Sequence, residues 1–384
     1  MSEWKEVRLG DVCTIIGRIG FRGYTAKDLV DSPDKGAISL SPTNIANYEL
    51  NLSKVTYISW EKYNESPEIM VTPGDIVFSK TGTVGWSALI REVVHPITLN
   101  PQLVVFKDIK INPVYLSYVM RSHLFKGLVK NITGGSAVPT LTQKDLGNLE
   151  FPIADNETQN KIATILSSLD DKIAVNKKIC DNLEAQARAL YKHWFVDFVP
   201  FKDGKFVESE LGLIPEGWRV GKLSELIDVK YGKDHKKLSD GNIPVYGSGG
   251  LMRKVNKSIY EGESVLIPRK GTLNNVMYVN EAFWTVDTMF YSIPKRQNIV
   301  LFTYIMLSKK DLASMNAGSA VPSMTTDILN NMIIIIPKED VLEHFNSLVS
   351  ALYVQIKHNE QESLHLSNLR DILLPKLMSG QIKL

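Results

Sequence analysis

Only two cysteines, Cys13 and Cys180, occur in 384 residues, too few for a disulfide framework or a cysteine-based zinc site. Both read as reduced structural thiols. No run of about 18 apolar residues occurs, and the N-terminus MSEWKEVRLG lacks the apolar core of a signal peptide. The expectation is a cytoplasmic protein with no membrane partner. Pro-Pro is absent, which removes the Asn/Asp-Pro-Pro-aromatic site of amino-methyltransferases, and no Gly-rich fingerprint follows a strand and opens a helix. GWRVGKL (Gly217 to Leu223) looks like a phosphate loop but is one residue short, with Leu223 where a Ser or Thr would hold magnesium. The seven histidines lack metal-ligand spacing, and Pro33-Asp34 is followed by no Glu-x-Lys of a nuclease site. No catalytic residue, metal ligand or cofactor is assigned to the chain.

Strong charge of one sign is lacking too, since 44 Lys and Arg against 42 Asp and Glu leave a net +2. That is far from the balance of a domain that simply coats phosphate. The distribution says more than the sum. Between Lys230 and Lys270 stand nine basic residues against four acids, a local hint of a polyanion as partner.

What the chain does have is a repeat. GSAVP runs from Gly135 to Pro139 and again from Gly318 to Pro322, 183 residues later. The flanks keep order with it. EWKEVRLGDV around Trp4 answers GWRVGKLSEL around Trp218, FSKTGTVG answers IPRKGTLN, TLNPQLVVFK answers TVDTMFYSIPK, and LSYVMRS answers FTYIMLS. Their offsets fall from 214 through 189, 187 and 186 to 183, as two copies separated by short deletions would show. The first copy is longer, mostly between residues 10 and 74.

After each GSAVP comes a heptad seam. Ile162, Leu166, Leu169, Ile173, Asn176, Cys180, Leu183, Ala187, Leu190 and Trp194 alternate steps of four and three. Adding 183 gives Phe345, Val349, Leu352, Ile356, Asn359, Ser363, Leu366, Arg370, Leu373 and Leu377. The polar interruption recurs at the same place, Asn176 against Asn359. An Asn in an apolar seam costs stability but selects register and partner, so the two helices are predicted to pair with both Asn near the middle of the contact. Two separate amphipathic helices, each on its own domain, would carry wider apolar stripes. Asp155-Asn156 with Gln159 after Pro152 reads as the start of the first helix, and Pro375 with Gly380 as the stop of the second.

The expected class is α+β: two similar α/β recognition domains separated by two long antiparallel helices that form a coiled coil, a pseudo-twofold dumbbell. The expected divisions are 1–155, a central helix 156–198, a second unit 199–339 entered through a linker 199–217, and a final helix 340–384. Short β-rich runs such as GDIVFS, QLVVFK and MIIIIP alternate with Gly-rich turns, and one helical stretch falls near 113–130 or 299–314. Two similar units joined by stiff helices suit the reading of two short DNA half-sites around an unread gap.

FPIADNETQNKIATILSSLDDKIAVNKKICDNLEAQARALYKHWFVDF, followed by KFVESELGLIPEGWRVGKL, resembles the central region of the DNA specificity subunit of type I restriction-modification systems. The flanking units resemble that family's target recognition domains through GDIVFSKTGTVG, IPVYGSGG, IPRKGTLNNVMYV and both GSAVP copies. The family's usual Pro-rich Glu-Gln segment is replaced by PIADNETQ and IPKEDVLEHF. The resemblance implies a non-catalytic subunit that binds double-stranded DNA. It also implies two modification subunits that carry S-adenosylmethionine and methylate adenine, and restriction subunits that use ATP and magnesium.

Base edges are read by Arg, Lys, Asn, Gln, Ser and Thr, while rim cations hold the backbone. Candidate DNA-binding residues are Arg18, Arg22 and Tyr24 in GRIGFRGY, then Lys80, Thr81 and Thr83 in SKTGT. In the second unit they are Lys230, Lys233, Lys236, Lys237, Ser248, Arg253, Arg269, Lys270, Thr272 and Asn274, with Ser136 and Ser319 in the two GSAVP copies. For each the alternative is a solvated loop side chain, and for Trp86, Phe283 and Trp284, which offer possible wedges, it is burial. Two other functions compete: a stand-alone nuclease or methyltransferase with an unrecognised site, and a coiled-coil scaffold that binds only proteins.

Overall fold

The computed structural model describes residues 4–133, 140–315 and 323–384. Both copies of GSAVP, and with them Ser136 and Ser319, lie outside the described residues. The chain forms two compact units, residues 1–175 with 362–384 and residues 176–361, so the division cuts both long helices.

Each unit is built on the same sheet. In the first, strands Thr14–Gly17, Leu103–Lys107, Ile76–Ser79 and Ser87–Leu89 lie side by side in that order, all antiparallel. In the second the order is Ile227–Tyr231, Met289–Pro294, Tyr260–Pro268 and Met277–Thr285, again antiparallel. Central strands such as IVFS and LVVF are buried along their whole length, which explains their continuous apolar runs. A helix covers each sheet, Pro113–Arg121 or Val300–Ser308. The first is prolonged by His123–Thr133, whereas the second stops at Ser308, short of the expected 314.

The N-terminal strand of each copy closes its unit. Lys5–Arg8 pairs antiparallel with Glu150–Ile153, and Arg219–Lys222 pairs with Ile333–Ile336. The GWRVGKL segment is therefore a strand, which accounts for its likeness to EWKEVRL. Extra residues of the first copy form a second sheet in which Leu29–Val30, Gly36–Leu40, Thr56–Ser59 and Ile97–Leu99 take part, with a hairpin at Ile45–Leu50. The second unit instead adds a hairpin of strands Asp240–Gly247 and Gly250–Val255 to its main sheet.

The two long helices run Asn156–Phe195 and Glu339–Met378, 40 residues each. Asp155 caps the first by accepting from the Thr158 amide at 2.9 Å, and Gln159 reaches back to the Ala154 carbonyl at 2.7 Å. Pairing is antiparallel within each unit. In the first, Asp170 bonds Arg370 at 2.7 Å and Lys172 bonds Glu362 at 3.2 Å. In the second, the Cys180 thiol meets the Ile356 carbonyl at 3.7 Å, and the rings of Trp194 and Phe345 lie 6.0 Å apart. Every seam position named from the sequence is buried or partly buried, and Asn176 and Asn359 are only 0% and 4% exposed.

The expected stop is met at Gly380 but not at Pro375. The second helix continues through Pro375 to Met378, and Gly380, two residues on, turns the chain with φ +69°. Proline removes one N–H bond near the end of the helix, while Leu373, Leu374, Leu377 and Met378 keep the last turn packed on the first unit's core.

Candidate nucleic-acid interface

The two glycine loops singled out in the sequence occupy equivalent places at the ends of equivalent strands. In the first unit the loop after Ile76–Ser79 turns at Gly82 with φ +79°; in the second the loop after Tyr260–Pro268 turns at Gly271 with φ +83°. That backbone favours glycine. Each loop is held by the residue that follows its GSAVP: Thr81 bridges Thr140, and Lys270 bridges Ser323. The residue after each copy of the repeated word thus pairs with the glycine loop of its own unit, a contact the sequence did not state.

Backbone bonds set the first loop. The Lys80 amide donates to Gln102 O at 3.0 Å, and Leu141 N donates to Lys80 O at 2.9 Å. Buried Ser79 reaches Thr81 O at 3.3 Å and Thr83 Oγ1 at 3.5 Å, so Thr83 is oriented from beneath while remaining exposed. Gln102 and Thr140, neighbours of Lys80 and Thr81, were missed because their contribution arises from partners distant in sequence.

In the second unit, Arg269 and Lys270 both donate their amides to Thr288 O, at 2.8 and 3.2 Å, and Lys233 donates to Thr285 O at 2.9 Å. This gathers Lys233, Arg269 and Lys270 on one edge. The Arg269 guanidinium sits 5.3 Å from the centroid of the half-exposed Tyr231 ring, a cation–π contact that orients it. Ser248 joins them, since Asn275 Nδ2 donates to its carbonyl at 2.8 Å. Thr272 is exposed in the same loop.

Other candidates are engaged elsewhere. Arg18 is 7% exposed and donates to Leu99 O at 3.0 Å, Thr98 Oγ1 at 3.1 Å and Ser66 Oγ at 3.4 Å. Its burial lowers the guanidinium pKa. Arg22 pairs with Glu68 at 3.3 Å, and the Tyr24 hydroxyl bonds Ser39 at 2.9 Å. Arg18 and Tyr24 tie the GRIGFRGY segment to the extra sheet of the first unit, and Arg22 ties it to the helical turn Pro67–Ile69. Asn274 spans Asp311 (3.0 Å) and the Ala313 amide (2.9 Å), a bond that holds the Asp311 carboxyl below its ordinary pKa. Arg253 is spent on Leu238 O and Asp240, and Lys230 lies 3.8 Å from Asp228. Lys236 and Lys237 are exposed on the loop that Asp234 caps through the Lys236 amide. Trp86 is partly buried against Tyr48, while Phe283 and Trp284 are 0% and 7% exposed.

Among the described residues no group of three His, Cys, Asp or Glu is placed to hold a metal, and no helix is long and apolar enough to cross a membrane. Two copies of one sheet domain, each presenting a glycine loop with a lysine beside the turn, define a duplicated two-unit module. The chain belongs to the family described as the type I restriction modification DNA specificity domain, whose model matches residues 1–185 and 215–364. It is 28% identical over 415 aligned residues to the type I restriction enzyme MjaIX specificity subunit of Methanocaldococcus jannaschii, covering 100% of this chain and 94% of that one. It is 23% identical over 475 aligned residues to the HindI specificity subunit of Haemophilus influenzae, covering both chains in full. The fold is similar to the crystal structure of a type I system S subunit from M. genitalium, with TM-score 0.60, 16% identity and 98% and 96% of the two chains covered. The chain is a specificity subunit of type I restriction-modification, a recognition component and not a catalyst.

Proposed function

We propose that each unit reads one half of a bipartite, asymmetric target in double-stranded DNA through its glycine loop. The observation that carries this reading is the equivalence of the two loops: same strand end, same positive-φ glycine, same bridge to the residue after GSAVP. Lys80, Thr81 and Thr83 serve the first half-site. Lys233, Ser248, Arg269, Lys270 and Thr272 serve the second, with Lys236 and Lys237 at the rim. Arg or Lys reads guanine by its O6 and N7, Thr meets a thymine methyl, and the remaining cations hold phosphates.

The long helices dock two modification subunits, set the unread gap, and leave catalysis to partners. S-adenosylmethionine belongs on the modification subunits, which flip the target adenine out of the stack; ATP and magnesium belong on restriction subunits. The assembly works in the cytoplasm, where the chromosome lies. Mapping methylated adenines in a host that expresses this chain with its modification subunit should return one two-part motif. A heptad inserted after Asn176 with its match after Asn359 adds about 10 Å and lengthens the gap by up to about three base pairs. An unchanged gap refutes the ruler, and turnover by the chain alone with DNA, metal and S-adenosylmethionine refutes the division of labour.

A further inference from the structure

The hairpin beside the RKGT loop has an irregular register. Val245 faces Arg253 and Tyr246 faces Leu251, so Met252 is the extra residue of a β-bulge. Bulges re-aim side chains and are enriched beside functional sites. Here the result is two adjacent large apolar side chains left in solvent, Leu251 at 59% and Met252 at 57% exposure. Single exposed apolar residues are ordinary; a bulged pair beside a cationic edge is a feature of shape as well as composition.

The pair is anchored to that edge. A Cβ added at Gly247 would fall 2.5 Å from Met252 Sδ and 3.7 Å from Val286 Cγ2, so all three meet at the base of the turn. The Val286 amide donates to Tyr246 O at 3.1 Å. Val286 itself stands between Thr285, which holds Lys233, and Thr288, which holds Arg269 and Lys270. Leu251 and Met252 therefore share one edge with three cations, and exposed Lys254 follows them on the strand. A polyanion with an apolar interior, stacked DNA bases, complements that arrangement better than a neutral protein surface does.

We propose that Leu251 and Met252 form an apolar wedge that enters between base steps of the half-site read by the second unit, while Lys233, Arg269 and Lys270 contact the DNA on either side of it. This rests on the DNA reading above and adds its mode. Apolar wedges partly unstack a step and kink the duplex, at a cost that extra contacts offset. Because flexible pyrimidine–purine steps open most easily, the wedge adds specificity without hydrogen bonds to a base. Phe283 and Trp284, the wedges considered from the sequence, are buried on strand Met277–Thr285 of the same sheet and do not serve.

The test uses the full chain assembled with its modification subunits and duplexes carrying 2-aminopurine at successive steps of the methylation-mapped half-site. The native complex should raise fluorescence at one step away from the methylated adenine. L251S/M252S should abolish that rise and weaken target binding at least tenfold, with off-target binding and the salt slope unchanged. L251I/M252L should retain both signals, which separates a wedge from a folding defect. The wedge is overturned if L251S/M252S keeps the fluorescence rise, binds its target within twofold of the native complex, or loses target and off-target binding alike. A native complex that binds target and scrambled duplexes equally would overturn the DNA reading instead.

Discussion

The same structural position is occupied by opposite chemistries in the two units. In the first, Asp170 of the long helix is buried among the Tyr118 hydroxyl at 2.6 Å, Arg121 at 2.8 Å and Arg370 at 2.7 Å. Arg121 also donates to the Tyr48 carbonyl at 3.2 Å, which ties the separate Ile45–Leu50 hairpin into the cluster. In the repeat register, the second unit has Tyr353 for Asp170, Tyr304 for Tyr118, Leu307 for Arg121 and Ala187 for Arg370. There the rings of Tyr304 and Tyr353 meet edge to face at 5.9 Å, and Leu307 and Ala187 are fully buried. One fold thus accepts either a charged node or an apolar one. The charged node demands that all its members be present, because a buried charge without its partner is costly, whereas the apolar node needs only volume.

Removing one charge breaks the comparison most sharply. D170N should cost the first unit about 3–5 kcal/mol by leaving the Arg121 guanidinium without its carboxylate and Arg370 with Asp371 alone, read as faster hydrogen exchange in 113–121 with the second unit unchanged. Equal loss in both units would contradict independent cores. Next in size, R121L/D170Y/R370A, which copies the second unit's chemistry, should recover about 2 kcal/mol of that loss if the node is interchangeable.

Acid should separate the units in the same direction. Burial alone would raise the Asp170 carboxyl, but Arg121, the Tyr118 hydroxyl and Arg370 outweigh it and hold the pKa below its ordinary 3.8. A depressed carboxylate contributes its full stability above the unfolded value and loses it as pH falls through the folded one. Protection in the first unit, taken against the intrinsic exchange rate at each pH, should therefore fall as pH drops below about 4, and R121L/D170Y/R370A should flatten that response. The corresponding Tyr353 and Tyr304 have raised pKa values, mainly through burial, and stay neutral throughout.

The loops offer a milder comparison. K80A and K270A should each weaken binding of the assembled complex to its target by roughly tenfold and reduce the salt slope by about 1. A loss confined to K270A would show that matching loops are used unequally. Smallest of all, N274A should loosen residues 271–276 by about 1 kcal/mol through its bonds to Asp311 and Ala313, while K270A leaves those bonds intact.

Much of this was legible because duplication prints the same constraint twice. The seam positions, Asn176 and Asn359 among them, follow from period alone, since a helix repeats its buried face every 3.5 to 3.6 residues whatever surrounds it. The KTGT and RKGT loops were visible as turns because their glycines are local necessities. Arg18 was read as a surface cation from its Gly-rich neighbours, yet its guanidinium is satisfied by Leu99 O, 81 residues away. No local pattern reveals such a partner. The Asp170 node escaped for the same reason: Tyr118 and Arg121 arrive from another helix.

By itself, then, the sequence determined the duplicated α+β plan, the two antiparallel seams and the placing of a glycine loop in each copy. These rest on periodicity, backbone sterics and repetition, which act over a few residues or recur in register. Tertiary structure alone decided which cations reach the surface, what chemistry fills the node at Asp170 and Tyr353, and how the bulge at Met252 turns an apolar pair outward. Each of those depends on groups brought together from dozens of residues apart, where burial and partner geometry outweigh local preference.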